Sequence, residues 1–155
     1  MNQALSALAR EIDLAAPEHE PLRLAFGLAC AARVAHLLED PRAIAGLAVL
    51  RRFVAGTAGI DELRSTRAEI ETAANHHRGS NSIDGSAHAA VSATYALANA
   101  LAGRALEAAS YAAYATVYAY GGYAVTEPTA FEPEFTWQLD ELRRLAQAHQ
   151  PTPER

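Results

Sequence analysis

The residues best equipped for chemistry gather in one stretch of the chain. His76, His77 and His88 lie close to Glu69, Glu71 and Asp84, with Ser80 and Ser82 between them. Imidazole nitrogens and carboxylate oxygens are the donors that zinc or a di-metal centre uses. A helical metal site needs them on one face, as His-Glu-x-x-His or Glu-x-x-His provides, and neither spacing occurs. His76 and His77 are adjacent, so a helix would aim them about 100° apart. Both suit the last turn of a helix, where imidazole meets free carbonyls. The serines, histidines and Asp84 contain the parts of a Ser-His-Asp triad, but no nucleophile elbow frames a serine. Gly79 and Gly85 do not make a phosphate-binding loop. The expectation is a non-enzymatic protein with no catalytic residue, no metal and no cofactor.

Recognition is the other chemistry on offer. Tyr111, Tyr114 and Tyr118 follow an i, i+3, i+7 pattern, joined by Tyr95, Tyr120 and Tyr123. Such a stripe reads first as core packing with hydroxyls at the rim. It reads second as a partner surface, because tyrosine is enriched in binding hot spots. His88, Ser92, Tyr95 and Asn99 form another helical stripe, polar but uncharged, suited to bonds between helices or to the wall of a shallow groove. Trp137 beside Glu141 is a further candidate anchor. Asp61, Glu62, Asp140 and Glu141 would speed encounter with a basic partner.

Helices must position all of these. Leu5, Leu8 and Ile12 mark a helix over 3–14, closed by Pro17. Pro21 opens a second helix running to about Glu39, with Leu24, Leu28, Ala31, Val34 and Leu38 on one stripe. Leu28 is expected at its centre, so that Leu28→Ala would cost about 2–5 kcal/mol. Asp40-Pro41 reads as an N-cap and a helix-starting proline. The helix it begins should turn Ile44, Leu47, Leu50 and Val54 inward and Arg42, Arg51 and Arg52 outward, ending at Gly56. A fourth, peripheral helix follows Gly59, with Asp61 and Glu62 in its first turn and Ile60, Leu63, Ile70 and Ala74 buried.

Residues 79–86 are the clearest loop. Ser86 can cap a fifth helix to Gly103, and a sixth runs from Arg104 to Tyr120. Residues 121–133 read as irregular. A last helix over 134–148 would face Phe135, Leu139, Leu142 and Ala146 inward and pair Asp140 with Arg144. No period-two alternation lasts. The fold class is all-α, a single-domain antiparallel array of about six or seven helices. Within 1–155 it divides into an N-terminal helix and linker (1–19), core helices (20–120), an irregular connection (121–133), a C-terminal helix (134–149) and a frayed tail (150–155).

Composition narrows the function. Alanine supplies about a quarter of the residues and lysine is absent. A formal charge of −5 argues against nucleic-acid binding, which needs clustered basic charge. Residues 86–103 are nearly uncharged, but Ala, Ser, Thr, Tyr and Asn dominate them, and Arg104 and Glu107 follow. That falls short of the roughly 20 strongly apolar residues of a membrane span. Cys30, the one cysteine, sits among Leu24, Leu28, Ala31 and Val34 and reads as a small core residue. The amino-terminal residues have no signal-peptide pattern, so a soluble, cytoplasmic protein is expected.

One stretch carries a family likeness. Leu28-Ala-Cys-Ala-Ala-Arg-Val-Ala-His-Leu-Leu-Glu39 is followed by Asp40-Pro41-Arg42-Ala43-Ile44. An arginine-bearing helix, Phe53-Val-Ala-Gly56, a short charged helix and an Ala/His-rich helical pair from Ala87 complete the order. Over about residues 22–120 this resembles the Imm-5-like immunity proteins of bacterial polymorphic-toxin systems. The resemblance implies a small helical protein that binds and neutralises a cognate toxin. It supplies no residue-level binding motif, and it leaves 121–155 outside. The alternatives from the residues alone are a helical regulatory or scaffold protein, a homodimer among its arrangements, and a histidine-based metal-binding enzyme.

Overall fold

The computed structural model describes residues 2–75 and 86–149. Among them lie seven α-helices and no strand: α1 (Gln3–Glu11), α2 (Glu20–Arg33), α3 (Pro41–Val54), α4 (Ile60–Asn75), α5 (Ser86–Leu101), α6 (Ala105–Tyr120) and α7 (Glu132–Ala148). Short 3-10 turns at Pro17–His19, Ala35–Leu37, Gly122–Thr126 and Pro128–Phe131 join them. None of the described helices is long and apolar enough to cross a membrane.

The chain folds around the α5–α6 hairpin, which packs most closely on itself and then on α2. Gly103 ends α5 with φ +73, a left-handed conformation that costs glycine little and reverses the chain. The seam between these helices is built from small residues. Ala96 and Ala100 of α5 and Ala105, Ala108, Ala109 and Ala112 of α6 are all buried. At Gly27 of α2, an added Cβ would lie 3.1 Å from both Cα and Cβ of Ala100, so the two backbones nearly touch. One apolar cluster draws on all seven helices, from Leu5 to Leu142, with Phe26, Cys30, Val34 and Leu97 fully enclosed. A smaller cluster of Ala113, Val117, Ala124 and Phe131 lies under the connection to α7.

Five expectations need correction. The second helix ends at Arg33, not Glu39, and tightens into the 3-10 turn Ala35–Leu37. The residue before a proline avoids the α region. Asp40 is accordingly extended (φ −71°, ψ 124°) before Pro41, and Leu38 is already extended, so the helix must end earlier. Leu28 is only half-buried.

Ile44, Val54 and Ile60 are exposed, Ile44 by 54%. Leu47 and Leu50 of α3 are buried as expected, but Ala43 and Gly46 join them in place of Ile44 and Val54. Gly46 decides this, because a Cβ there would stand 2.9 Å from Cγ1 of Ile70. Such a close approach of α3 to α4 turns the glycine face inward and rotates Ile44 out.

On α7 the inward line is Glu134, Gln138 and Leu142, while Phe135, Leu139 and Ala146 are half-buried. Polar residues hold that line because partners await them. Arg33 Nε donates to both carboxylate oxygens of Glu134 at 3.0 Å. Gln138 donates from Nε2 to the Ala109 carbonyl at 2.8 Å and accepts from Asn2 Nδ2 at 3.3 Å. Burial of such groups is tolerated only when their bonds are made. Asp140, lastly, pairs with Arg143 at 3.7 Å rather than with Arg144, which pairs with Glu141.

Candidate partner-binding face

The two sequence stripes meet along one edge of the α5–α6 hairpin. Tyr95 of α5 stacks on Tyr111 of α6, with ring centroids 5.2 Å apart and planes 22° from parallel. His88 stacks on Tyr118 in the same way, at 5.2 Å and 28°. Seven residues separate the partners on both helices, as an antiparallel pair in constant register requires, and two helical turns place the stacks about 10 Å apart. Between them Tyr114 tilts towards Tyr118 at 6.2 Å and meets Phe131 edge-on at 5.2 Å. Phe131 in turn lies 5.6 Å from Phe135. The result is a run of rings, His88, Tyr118, Tyr114, Phe131 and Phe135, crossing from α5 over α6 to α7.

Local chemistry fixes this edge. The Tyr95 hydroxyl donates to Asn75 Oδ1 at 3.4 Å, and Asn99 Nδ2 donates to the Tyr95 carbonyl at 2.8 Å. Each ring is braced on one side by another ring, so its rotamer is largely set before any partner arrives. Tyr111 and Tyr114 nonetheless remain 38% and 42% exposed. Tyr120 is 84% exposed and is not among these ring contacts. Below Tyr114, a groove of about 620 Å³ runs between α1, α6, α7 and the connection, walled by Leu5, Leu106, Val125, Pro128 and Phe131.

The remaining candidate residues scatter. Trp137 packs on the core under the guanidinium of Arg33, which lies 4.2 Å from the ring centroid, so this ring is already covered in part. Glu62 pairs with Arg52 at 2.6 Å, and Glu141 and Asp140 are paired as described. Asp61 is exposed in the first turn of α4, far in sequence from the aromatic edge. Three of the four acids thus have their charge offset locally, which weakens any field they project.

Sequence reasoning missed Phe131, Arg33 and Glu107. Glu107 precedes Tyr111 by four residues and shares its helix face, a signal that the i, i+4 rule could have caught. Among the described residues no three or more His, Cys, Asp or Glu side chains gather as a metal site. His76, His77, Ser80, Ser82 and Asp84 lie outside the described residues. His88 serves as a stacking partner. Burial pushes the Cys30 thiol far above its ordinary pKa, and the carboxylates of Glu134 and Glu141 push the same way. A thiol held protonated in the core is a poor nucleophile.

The fold and this edge define an all-α protein whose distinctive surface is aromatic. Over residues 13–145 the chain matches the family described as Imm-5 like putative immunity protein, and it belongs to that family. The match reaches well beyond the 22–120 stretch of the initial likeness. It takes in the connection and most of α7, so the C-terminal helix is part of the family's chain and not an addition to it. No curated protein and no solved structure matches the chain.

Proposed function

We propose that this protein neutralises a cognate bacterial toxin in the cytoplasm by binding it, without chemistry of its own. The observation that carries the reading is family membership across 13–145. The aromatic edge of α6 supports it physically. Binding by a rigid scaffold avoids the cost of ordering side chains, about 0.5–1.5 kcal/mol for each flexible one immobilised. Tyr111 and Tyr114 combine braced rings with open area, which is what a hot spot needs. The groove beneath Tyr114 offers an apolar floor for a partner's side chain.

Charge plays a lesser part. Because Glu62, Asp140 and Glu141 face arginines, attraction of a basic toxin falls mainly to the net charge of −5. Association should slow as salt rises, but modestly.

The test is co-expression with the toxin gene of the same locus. Survival above an empty-vector control, with a complex that persists through gel filtration, is the expected result. Death at the empty-vector rate together with no recoverable complex would refute the immunity reading.

A further inference from the structure

A notch of about 490 Å³ opens between α4, α5 and α6 beside the stacked Tyr95–Tyr111 pair. Glu71, Asn99, Arg104 and Glu107 line it with the two tyrosines. Its two carboxylates and its tyrosine rings are complementary to a planar cation. Tyr95 engages one side of the Tyr111 ring, and the rest of that ring contributes to an exposed wall. Glu107 stands one helical turn before Tyr111 on the same face, exposed, with no ion-pair partner among the described residues. Glu71 is shared with Arg67 at 3.2 Å and adds a second negative rim.

The fold already contains a filled example of this arrangement. On α7, Glu134 and Trp137 are three residues apart on one face. Arg33 from α2 bonds the carboxylate while its guanidinium lies 4.2 Å from the indole centroid. Carboxylate, guanidinium and ring satisfy one another, through charge-assisted bonds and attraction of the cation to the ring face. On α6 the carboxylate and the ring recur at a four-residue spacing, and no cation of the described residues bridges them.

We propose that this notch receives an arginine side chain of the partner protein, its guanidinium lying against the Tyr111 ring and paired with Glu107. The identity of that partner as a toxin rests on the immunity reading above. Arginine fits better than lysine because its guanidinium is planar, weakly hydrated and able to stack and bond at once. The chain's own Arg104 lines the same notch without pairing to Glu107, and so acts as a repulsive rim. Removing its charge should tighten binding rather than loosen it.

The experiment titrates the full chain, with tyrosine rings isotope-labelled, using N-acetyl-arginine amide. N-acetyl-citrulline amide, nearly the same shape without the charge, is the control probe. NMR shifts should concentrate on Tyr111 and Tyr95 and be far smaller with citrulline. Glu107→Gln should weaken arginine binding by roughly two- to five-fold, the upper part of the range for an exposed ion pair. Arg104→Gln should strengthen it. Glu107 and Arg104 are exposed, so an unchanged amide spectrum will confirm that both variants fold. Equal response to the two probes, an unchanged affinity in Glu107→Gln, or shifts only at other tyrosines would each overturn the proposal. Such a failure leaves the co-expression test untouched. Failed protection with arginine binding intact would instead remove the toxin reading alone.

Discussion

The two faces of α6 differ in the size of their side chains more than in their polarity. Inward lie Ala105, Ala108, Ala109, Ala112, Ala113 and Ala115, all buried. Outward lie Tyr111 and Tyr114, with Tyr118 half-buried beside them. Tyrosine carries far more apolar area than alanine, so a rule that buries the larger hydrophobe would place these faces the other way round. Backbone proximity decides instead. Alanine lets α2, α5 and α6 approach until dispersion contacts run along whole helices. A tyrosine in that seam would force them apart. Rings displaced to the edge recover part of their burial by stacking on one another, and there they become available to a partner.

The sharpest way to break this comparison is to create a cavity inside the hairpin. Leu97 on α5 is fully enclosed. Leu97→Ala should cost about 2–5 kcal/mol, read from urea denaturation. Leu28→Ala, on the half-buried side of α2, should cost clearly less, below the figure expected from the sequence. Equal losses would mean that the inner face has been assigned to the wrong side of these helices.

Next comes overfilling the seam. Gly27→Leu sets a side chain against Ala100 Cα and Cβ, neither of which can swing away. A loss of about 1–3 kcal/mol follows, since α2 and α5 must separate. Gly59→Ala is the control, because a Cβ there meets nothing within 4 Å. A loss in the control as large as that of Gly27→Leu would show that replacing a glycine, and not backbone contact, sets the effect.

These cases show what was legible in the sequence. Four helices were read to within three residues of their observed ends at Glu11, Val54, Leu101 and Tyr120, because caps, prolines and glycines act locally. The burial side of a helix is not local. On α3 the large aliphatics Ile44 and Val54 suggested one face, while the approach of Gly46 to Ile70 selected another. On α7 the apolar stripe hid the fact that Glu134 and Gln138 had hydrogen-bond partners on α2 and α6. The aromatic edge was half legible. Periodicity showed both stripes, but only the constant register of α5 against α6 brings Tyr95 to Tyr111 and His88 to Tyr118.

A smaller effect is expected from the outer face itself. Tyr111→Ala removes its ring pair with Tyr95, and Tyr114→Ala removes the edge-on pair with Phe131 and the tilted contact with Tyr118. Such pairs contribute about 0.5–1.5 kcal/mol beyond area burial, so each variant should stay folded with a modest shift in melting temperature. Both should lose protection against the toxin in the co-expression assay. If either keeps full protection while folded, the partner surface lies elsewhere and the aromatic edge is only a stacked rim.

The smallest effect should belong to the most exposed ring. Tyr120 is 84% exposed at the end of α6, just before Gly121, and it stacks on none of the edge rings. By area alone it would be the favoured anchor. A side chain without a brace, however, loses about 0.5–1.5 kcal/mol of freedom when a partner immobilises it, which offsets much of what its contact returns. Tyr111 and Tyr114 have met that cost in the folded protein through Tyr95 and Phe131. Tyr120→Ala should therefore change stability by no more than about 0.5 kcal/mol, as surface substitutions usually do. It should also leave protection and complex formation at the level of the unaltered protein. A loss of binding in Tyr120→Ala larger than in Tyr114→Ala would move the contact surface to the carboxyl end of α6, and would show that reach, not rigidity, selects the anchor.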